Sequence, residues 1–288
     1  MDPRRLVVPA LTAAVVGISA GGVLAVLADA ADPVVVAFWR TGLCAAILAP
    51  TLLGARVGRR DLGWIALAGV ALAAHFWVWF ASLHHISVMR SVVLVTLAPI
   101  WVGLAEWALF KEAPSRRFWL GILVALGGVA WMSKDSFGGA SLTGDVLALV
   151  GGMMSSAYFL VGRRVRQRVA FGPYGALVCG FAAAVLLVVA LARGLPLMGW
   201  EPAVWGALVG LALLPQLVGH VGFNFAVKYV ATSVIAALLL LEPVGATVLA
   251  WLVLDEVPTA TELVGAAAIL VGVGVATLRS AGSSSPEP

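Results

Sequence analysis

Long, continuous apolar stretches follow one another along nearly the whole chain, and they limit its possible folds more than any other feature. A helix needs about 20 mostly apolar residues to cross a bilayer, and ten such stretches lie between short polar breaks. They cover residues 6–28, 34–54, 62–83, 91–110, 117–134, 144–162, 171–192, 204–226, 231–253 and 260–279. Their continuous apolar character argues against a β-barrel and predicts an all-α integral membrane protein with ten transmembrane helices.

The composition argues against a soluble protein. Of the 288 residues, 62% are hydrophobic and 11% are charged, whereas a soluble domain carries about 25% charged residues. The net charge of +4 does not indicate nucleic-acid binding here, because the basic residues lie in the loops between apolar stretches. The first stretch follows Arg4 and Arg5 and is long enough to span, so we interpret it as a helix and not as a cleaved signal peptide. Cys44 and Cys179 lie inside apolar stretches and are interpreted as packing thiols.

The distribution of positive charge predicts the topology. Most of the 18 basic residues fall on every second loop, with dense groups at 56–60 and 163–168. Such a bias marks cytoplasmic loops in membrane proteins. We therefore expect a multi-pass protein of a bacterial-type inner (plasma) membrane, with the N- and C-termini in the cytoplasm and a disordered cytoplasmic tail at 280–288.

An internal repeat divides the chain into two halves. A shift of 144 residues aligns several prolines, tryptophans, glutamates and glycines of the first half with identical residues of the second. The aligned pairs are Pro99 with Pro243, Trp107 with Trp251, Glu112 with Glu256, Pro114 with Pro258, Gly121 with Gly265 and Gly128 with Gly272. Each half, 1–137 and 138–279, then holds five helices. Because five is odd, the second half enters from the opposite side, and such inverted repeats are common in secondary transporters.

Polar residues within the spans are candidates for function, because a charge at the centre of a spanning helix costs roughly 2.5–3.5 kcal/mol on insertion scales. Glu242 lies near the middle of the ninth helix beside Pro243, which tends to kink the helix; it could bind substrate or a proton, or pair within the protein. Gln216, His220, Phe223 and Asn224 lie at spacings of three and four residues on the eighth helix, so they share one face. That face could line a pocket or form interhelical hydrogen bonds.

Aromatic and hydroxyl groups complete the candidate set. His75 and Trp79 on the third helix could hold an aromatic solute, and Trp101, two residues after Pro99, could close the same cavity. Ser155 and Tyr158 on the sixth helix could contact a polar solute, although helix packing is the alternative for all of these residues. Arg40 could reach outward, pair with a carboxylate or attract an anionic group of a substrate, and structural pairing is the preferred interpretation.

The predicted site lies where the third, fourth, eighth and ninth helices meet. The substrate-binding candidates are His75, Trp79, Trp101, Ser155, Tyr158, Gln216, His220, Asn224 and Glu242. Glu242, His75 and His220 are also candidates for proton coupling, and Pro99 and Pro243 for helix kinks that act as gates. We predict no catalytic residue, metal or cofactor.

Short motifs at equivalent places in the two halves resemble those of a known family. They are Leu97-Ala98-Pro99 followed by Phe110-Lys111-Glu112, Leu241-Glu242-Pro243 followed by Asp255-Glu256, and Phe38-Trp39-Arg40. With these motifs the chain resembles the EamA-type ten-helix transporters of the drug/metabolite transporter superfamily. The resemblance implies a pocket lined mainly by helices 1, 3, 4, 6, 8 and 9. It also implies a substrate among amino acids, metabolites, purine nucleosides or drugs.

These observations together predict a secondary active transporter, with export as the preferred direction, that works by alternating access. The expected partners are the lipid bilayer, protons and a small metabolite, either amino-acid-like or amphipathic and aromatic; no nucleic acid is expected, and the protein is a monomer or homodimer. A membrane-embedded enzyme acting on lipid-linked substrates and a non-transporting scaffold subunit are the alternatives. The absence of a Walker sequence argues against ATP-driven pumping by this chain.

Overall fold

The structure is a computed structural model that describes residues 3–111, 113–132, 134, 141–254 and 257–277. Glu112, Asp255, Glu256 and the tail 280–288, which the sequence predictions include, lie outside the described residues. Every regular element in the described ranges is a helix. The predicted all-α fold is therefore confirmed.

The described ranges hold ten long helices, close to the predicted boundaries. They are α1 (Arg4–Leu27), α2 (Pro33–Leu52), α3 (Arg59–Ser82), α4 (88–110), α5 (Arg116–Met132), α6 (Leu142–Arg166), α7 (Phe171–Ala192), α8 (Pro202–Ala226), α9 (232–254) and α10 (Ala260–Thr277). Within the described part of the chain, nine of them are long and apolar enough to cross a membrane; α5 has 17 residues. Large apolar side chains on the outside of the bundle, such as Leu123 at 67% exposure and Leu252 at 68%, suit contact with lipid.

Helices α4 and α9 are interrupted at equivalent positions of the repeat. The regular parts of α4 are Val88–Val95 and Ala98–Ala105, and those of α9 are Thr232–Leu239 and Glu242–Leu254. Pro99 and Pro243 are each the second residue after the break, and proline can neither donate the helical backbone hydrogen bond nor avoid the carbonyl one turn earlier. Interrupted helices at matching positions of two halves are a frequent mark of transporter binding sites.

Helix α8 changes its winding where the candidate polar residues lie. Residues Ala212–Val221 form a π-helix with Pro215 inside it. The missing N–H of Pro215 removes one regular hydrogen bond, and a wider winding absorbs the defect. Gln216 and His220 are both on this segment and both buried. The expectation of an ordinary α-helical face on α8 therefore needs correction, although the two side chains do point inward.

Small residues let α5 and α10 pack backbone against backbone. A Cβ on Gly121 would lie 2.4 Å from the carbonyl oxygen of Gly272, and a Cβ on Gly128 would lie 2.7 Å from that of Gly265. Gly121 is aligned with Gly265 in the repeat and Gly128 with Gly272, so each contact is the copy of the other. Such reciprocal contacts are what a two-fold relation between the halves produces.

The main core lies among α1, α2, α3, α6, α7 and α8. Cys44 of α2 and Cys179 of α7 are buried there as thiols, with their sulfur atoms 3.8 Å apart. Their position agrees with packing thiols, and the proximity of the two was not predicted. Gln216 Nε2 also donates to Cys179 Sγ at 3.4 Å, so polar side chains continue from this contact towards the centre of the bundle.

Candidate functional site

A small cavity at the centre of the bundle is bordered by four ionisable side chains of the membrane spans, Arg40, His75, His220 and Glu242. Its volume is about 30 Å³. The residues around it are Ile18, Gly21, Arg40, His75, Trp79, Val95, Pro215, His220 and Glu242. They come from both halves of the chain and meet beside the break in α9 and the π-helical part of α8.

Arg40 of α2 is the most deeply buried charge at this cavity, with 1% of its surface exposed. Its Nε donates to Gln216 Oε1 at 3.0 Å, and its guanidinium lies over the ring of Phe76, 3.9 Å from the centroid. The same group has a second nitrogen, Nη1, that is buried and has no hydrogen-bond partner among the described residues. The expected direct pairing of Arg40 with a carboxylate is not what the structure shows, because an amide and an aromatic face hold the guanidinium.

His75 and Trp79 of α3 form one wall. His75 Nδ1 lies 2.9 Å from the carbonyl oxygen of Gly151. A carbonyl can only accept, so Nδ1 carries the hydrogen and Nε2 is the acceptor of the neutral ring. The rings of His75 and Trp79 are parallel, with centroids 6.1 Å apart. The Trp79 indole N–H is also buried, without a partner in the described part of the chain.

His220 of α8 faces His75 across the cavity, with ring centroids 5.8 Å apart. It stacks on Phe159 at 5.8 Å. Behind it, Asn224 Nδ2 donates both to the backbone oxygen of His220, at 2.9 Å, and to the hydroxyl of Tyr158. Tyr158 and Asn224 thus support the position of His220 and do not line the cavity in this conformation.

Glu242 begins the second part of α9, at the break itself. It is partly buried, and its Oε1 would lie 3.8 Å from a Cβ built on Gly21. Among the described residues, no ion pair within 4.0 Å joins Glu242 to Arg40, although both line the cavity. Opposite charges therefore face one small space from separate helices and from separate halves.

Gln216 contacts Arg40 without lining the cavity, and two more predicted site residues lie elsewhere. Trp101 lines an apolar crevice between α4 and α6, together with Ser156 and Leu160, and Ser155 is buried on α6 away from the cavity. The expected meeting point of helices 3, 4, 8 and 9 is also incomplete, because α1 supplies Gly21 and α2 supplies Arg40. The family resemblance implied a wall from helix 1, whereas the contribution of α2 was missed because Arg40 was weighed as a structural charge.

Two other ion pairs account for charges outside the cavity. Arg90 at the start of α4 donates through Nε and Nη2 to the two oxygens of Asp145 on α6, each at 2.7 Å. Glu106 on α4 accepts from Arg163 Nη1 at 3.1 Å and from the backbone N–H of Thr232 at 3.1 Å. Each pair joins two different helices, so we interpret both as interactions that hold the helix bundle together.

The family profile of the EamA-like transporters matches residues 6–134 and again residues 142–278. The chain belongs to the EamA-like transporter family. The two consecutive matches cover one five-helix half each, which agrees with the inverted repeat and confirms the resemblance seen in the motifs.

Relatives of this EamA-like transporter carry transporter names. The uncharacterized transporter YdfC of Bacillus subtilis is 26% identical over 185 residues, which are 63% of this chain and 60% of that protein. An uncharacterized transporter of Archaeoglobus fulgidus is 23% identical over 86% of this chain and 89% of its own length. The probable 4-amino-4-deoxy-L-arabinose-phosphoundecaprenol flippase subunit ArnE of Klebsiella pneumoniae is 34% identical over 76 residues, 25% of this chain and 68% of that one.

A protein of known crystal structure has the same fold. The two superpose with a TM-score of 0.79 at 20% sequence identity, over 94% of this chain and 96% of the other. This superposition shows the fold alone; the family match and the long apolar helices identify the chain as a multi-pass membrane transporter, with a cavity at the junction of its halves.

Proposed function

We propose that this EamA-like transporter is a secondary active exporter of a small, amino-acid-like or aromatic solute, and that it works by alternating access. One observation carries the proposal: Arg40 and His75 from the first half and His220 and Glu242 from the second surround one cavity. Ionisable side chains inside spanning helices are costly, and in membrane proteins they generally mark a pathway for a solute or a proton.

The size of the cavity supports a change of conformation during transport. Its volume of about 30 Å³ is about a tenth or less of the roughly 300–1,000 Å³ of pockets that bind small molecules. A solute can therefore enter only when the helices around the cavity move apart. The breaks at Pro99 and Pro243 give α4 and α9 places at which to bend, and we assign the gates to them.

We assign different roles to the side chains in and around the cavity according to their chemistry. Glu242 and the two histidines can exchange protons, and we assign proton coupling to them. Trp79 and the ring of His75 offer aromatic surface to the solute. Gln216 holds Arg40, and Asn224 with Tyr158 holds His220. Protein side chains that bind and release a solute unchanged suffice for this function, so we propose that the chain is not an enzyme.

Efflux from proteoliposomes tests the proposal. The purified full-length protein is reconstituted with a cell metabolite extract inside, and mass spectrometry follows what leaves with and without a proton gradient. We expect at least one solute to leave faster than from protein-free liposomes, and Glu242→Gln to remove the effect of the gradient. Arg193→Gln, at an exposed ion pair with Asp32, is the matched control. Export of no solute in either condition would refute the function.

Translocation of a lipid-linked solute is the second candidate. Two observations favour it: the similarity to ArnE, named as a flippase subunit, and the crevice of about 530 Å³ that Trp101 and Leu104 of α4 line together with Met153 and Leu160 of α6. Fluorescent lipid-linked sugars in the same proteoliposomes distinguish the candidates. Flipping without efflux of any free solute would favour this second function, and Trp101→Ala should then reduce it.

We also propose that the protein lies in a bacterial-type inner membrane as a monomer or homodimer, with both termini in the cytoplasm. The basic loops at 56–60 and 163–168 support this orientation. Reporter fusions at residue 57 and at residue 197, on loops that the proposal places on opposite sides, test it. Equal reporter activity at both loops would contradict the orientation.

A further inference from the structure

A second, larger space lies where α1 begins, beside the loop that joins α8 to α9. It is a groove of about 570 Å³, and among the described residues it shares none of its lining with the central cavity. The lining combines two basic side chains, one tyrosine and three valines: Arg4, Val7, Val8, Lys228, Tyr229 and Val230. None of these lining residues is acidic. The groove therefore offers positive charge beside apolar surface.

We propose that this groove binds an anionic phospholipid, with the phosphate of the head group at Arg4 and Lys228 and an acyl chain along the valines. The site lies outside the cavity to which transport is assigned. The inference therefore goes beyond the proposed function, and binding measurements test it without any assay of transport.

The two basic residues suit a phosphate. Lys228 is exposed on the loop, and within the described part of the chain no ion pair within 4.0 Å joins it to a carboxylate. Arg4 is exposed at the start of α1, and a guanidinium can bind a phosphate through two parallel hydrogen bonds. Two cations that border one groove repel each other, so a phosphate between them is favoured by both.

The apolar part of the groove favours a lipid over a soluble anion. The apolar span of α1 begins at Arg4, so the groove lies where that span meets water. Val8 is 71% exposed, and a free phosphate gains nothing from such a surface. A phospholipid covers the charges and the valines together. Tyr229 packs on Phe225 with ring centroids 5.5 Å apart, and aromatic side chains are enriched at this depth of a membrane.

The groove joins the two halves of the chain. Its α1 side belongs to the first half, and α1 also borders the central cavity through Gly21. Its loop side belongs to the second half. The loop is tied to the end of α6, because Gln167 Nε2 donates to the carbonyl oxygen of Lys228 at 3.4 Å, and it leads directly into α9 at Thr232. A lipid phosphate that contacts both sides therefore links the halves, and binding to the folded state stabilises the protein.

Lipid titration of the purified full-length protein tests the inference. Native mass spectrometry in detergent counts bound phosphatidylglycerol and, separately, phosphatidylcholine with the same acyl chains. We expect the first phosphatidylglycerol to bind at least about tenfold more tightly than phosphatidylcholine, because each basic residue near an anionic head group contributes roughly fivefold. Phosphatidylglycerol should also raise the Tm more than phosphatidylcholine does. Inorganic phosphate should neither raise the Tm nor displace the lipid.

Variants assign the binding to this groove. The double substitution Arg4→Gln with Lys228→Gln should weaken phosphatidylglycerol binding at least about tenfold and leave phosphatidylcholine unchanged. The control is Arg56→Gln with Arg59→Gln, which removes the same charge from two exposed positions near the start of α3 and should keep the preference. Lys228→Arg keeps the charge and should keep the binding. Should the double variant fail to fold, Lys228→Gln alone and the comparison of the two lipids on the wild-type protein still decide.

Four results would overturn the inference. They are equal affinity of the wild-type protein for the two lipids, an unchanged preference in the Arg4 and Lys228 double variant, an equal loss in the Arg56 and Arg59 control, and displacement of phosphatidylglycerol by inorganic phosphate. The third would assign the preference to general surface charge, and the fourth would assign the groove to a soluble phosphate compound. Each of them would leave the proposed transport function standing, since no readout depends on transport.

Discussion

The packing of α5 against α10 predicts that alanine at Gly121 destabilises the protein. A Cβ at this position would lie 2.4 Å from the oxygen of Gly272 and 2.4 Å from the nitrogen of Ala276, whereas ordinary contact begins at 3.4 Å. Both neighbours are backbone atoms of α10, so no side chain can rotate away to make room. The two helices have to separate by about 1 Å, and the neighbouring contacts between them weaken with the same movement.

The size of the effect follows from a comparison with Gly127 on the same helix. A Cβ on Gly127 meets nothing within 4 Å. Alanine in place of glycine favours a helix by about 0.5–1 kcal/mol, and this gain is common to both variants. The overpacking cost of about 1–3 kcal/mol falls on Gly121→Ala alone. The two variants should therefore differ by that amount, with Gly127→Ala at or above the wild type in stability.

Thermal unfolding of the purified variants in one detergent measures the difference. Gly121→Ala should have a clearly lower Tm than Gly127→Ala. The inverted repeat adds an internal check on the other helix, because Gly272→Ala should resemble Gly121→Ala and Gly274→Ala, whose Cβ also meets nothing within 4 Å, should resemble Gly127→Ala. A Gly121→Ala protein that unfolds at or above the Tm of Gly127→Ala would show that the helices do not pack in this way.

Three further substitutions test the site and the scaffold separately, the first through activity and the other two through stability. Gly21→Ala adds a methyl group inside the cavity, at ordinary contact distances of 3.6–3.8 Å from its neighbours. Export should slow while the Tm stays the same or rises. A normal export rate would contradict the position of the site. Glu106→Ala removes the hydrogen-bond acceptor of Arg163 and of the N-terminus of α9. It should lower the free energy of unfolding by about 1–3 kcal/mol, and the Tm falls with it. Arg90→Gln breaks the pair with Asp145 and should lower the Tm less than Glu106→Ala does, with the loss shrinking at high salt.

The fold could be predicted from the sequence because the bilayer leaves few choices. A backbone in lipid has to satisfy its own hydrogen bonds, so long apolar stretches become helices, and charged loops mark their ends. The repeat could also be recognised in the sequence, because the residues that carry it act through their own chemical structure. Pro99 and Pro243 interrupt their helices because proline lacks the backbone N–H. Gly121 and its partner Gly272 permit a close backbone contact because glycine has no Cβ.

The site could be predicted only in part. His75, His220 and Glu242 were singled out because ionisable residues in a span generally face the interior, and Trp79 because it lies one turn from His75; all four line the candidate cavity. Helical spacing gives the direction of a side chain but not the neighbour that it meets. For that reason Trp101, which also faces protein, turned out to line a different crevice.

The position of Arg40 shows what a linear pattern leaves out. Its depth in α2 suggested an arginine that pairs with a carboxylate. The partner it has, Gln216, is 176 positions away and lies on a π-helical segment whose winding depends on how Pro215 is accommodated. Neither the distance along the chain nor the change in winding leaves a local signal, so only the packed structure reveals the guanidinium at the cavity.

The scaffold is symmetric between the two halves, but the charges at its centre are not. The repeat equivalent of Glu242 is Ala98, and α7, the counterpart of α2, has no charged residue over Phe171–Ala192, so the first half supplies the guanidinium and the second half the carboxyl group. A ligand shifts a conformational equilibrium only through different affinities for the two states. A solute that contacts both charges bridges the halves, and its binding energy therefore depends on how the halves are placed relative to each other.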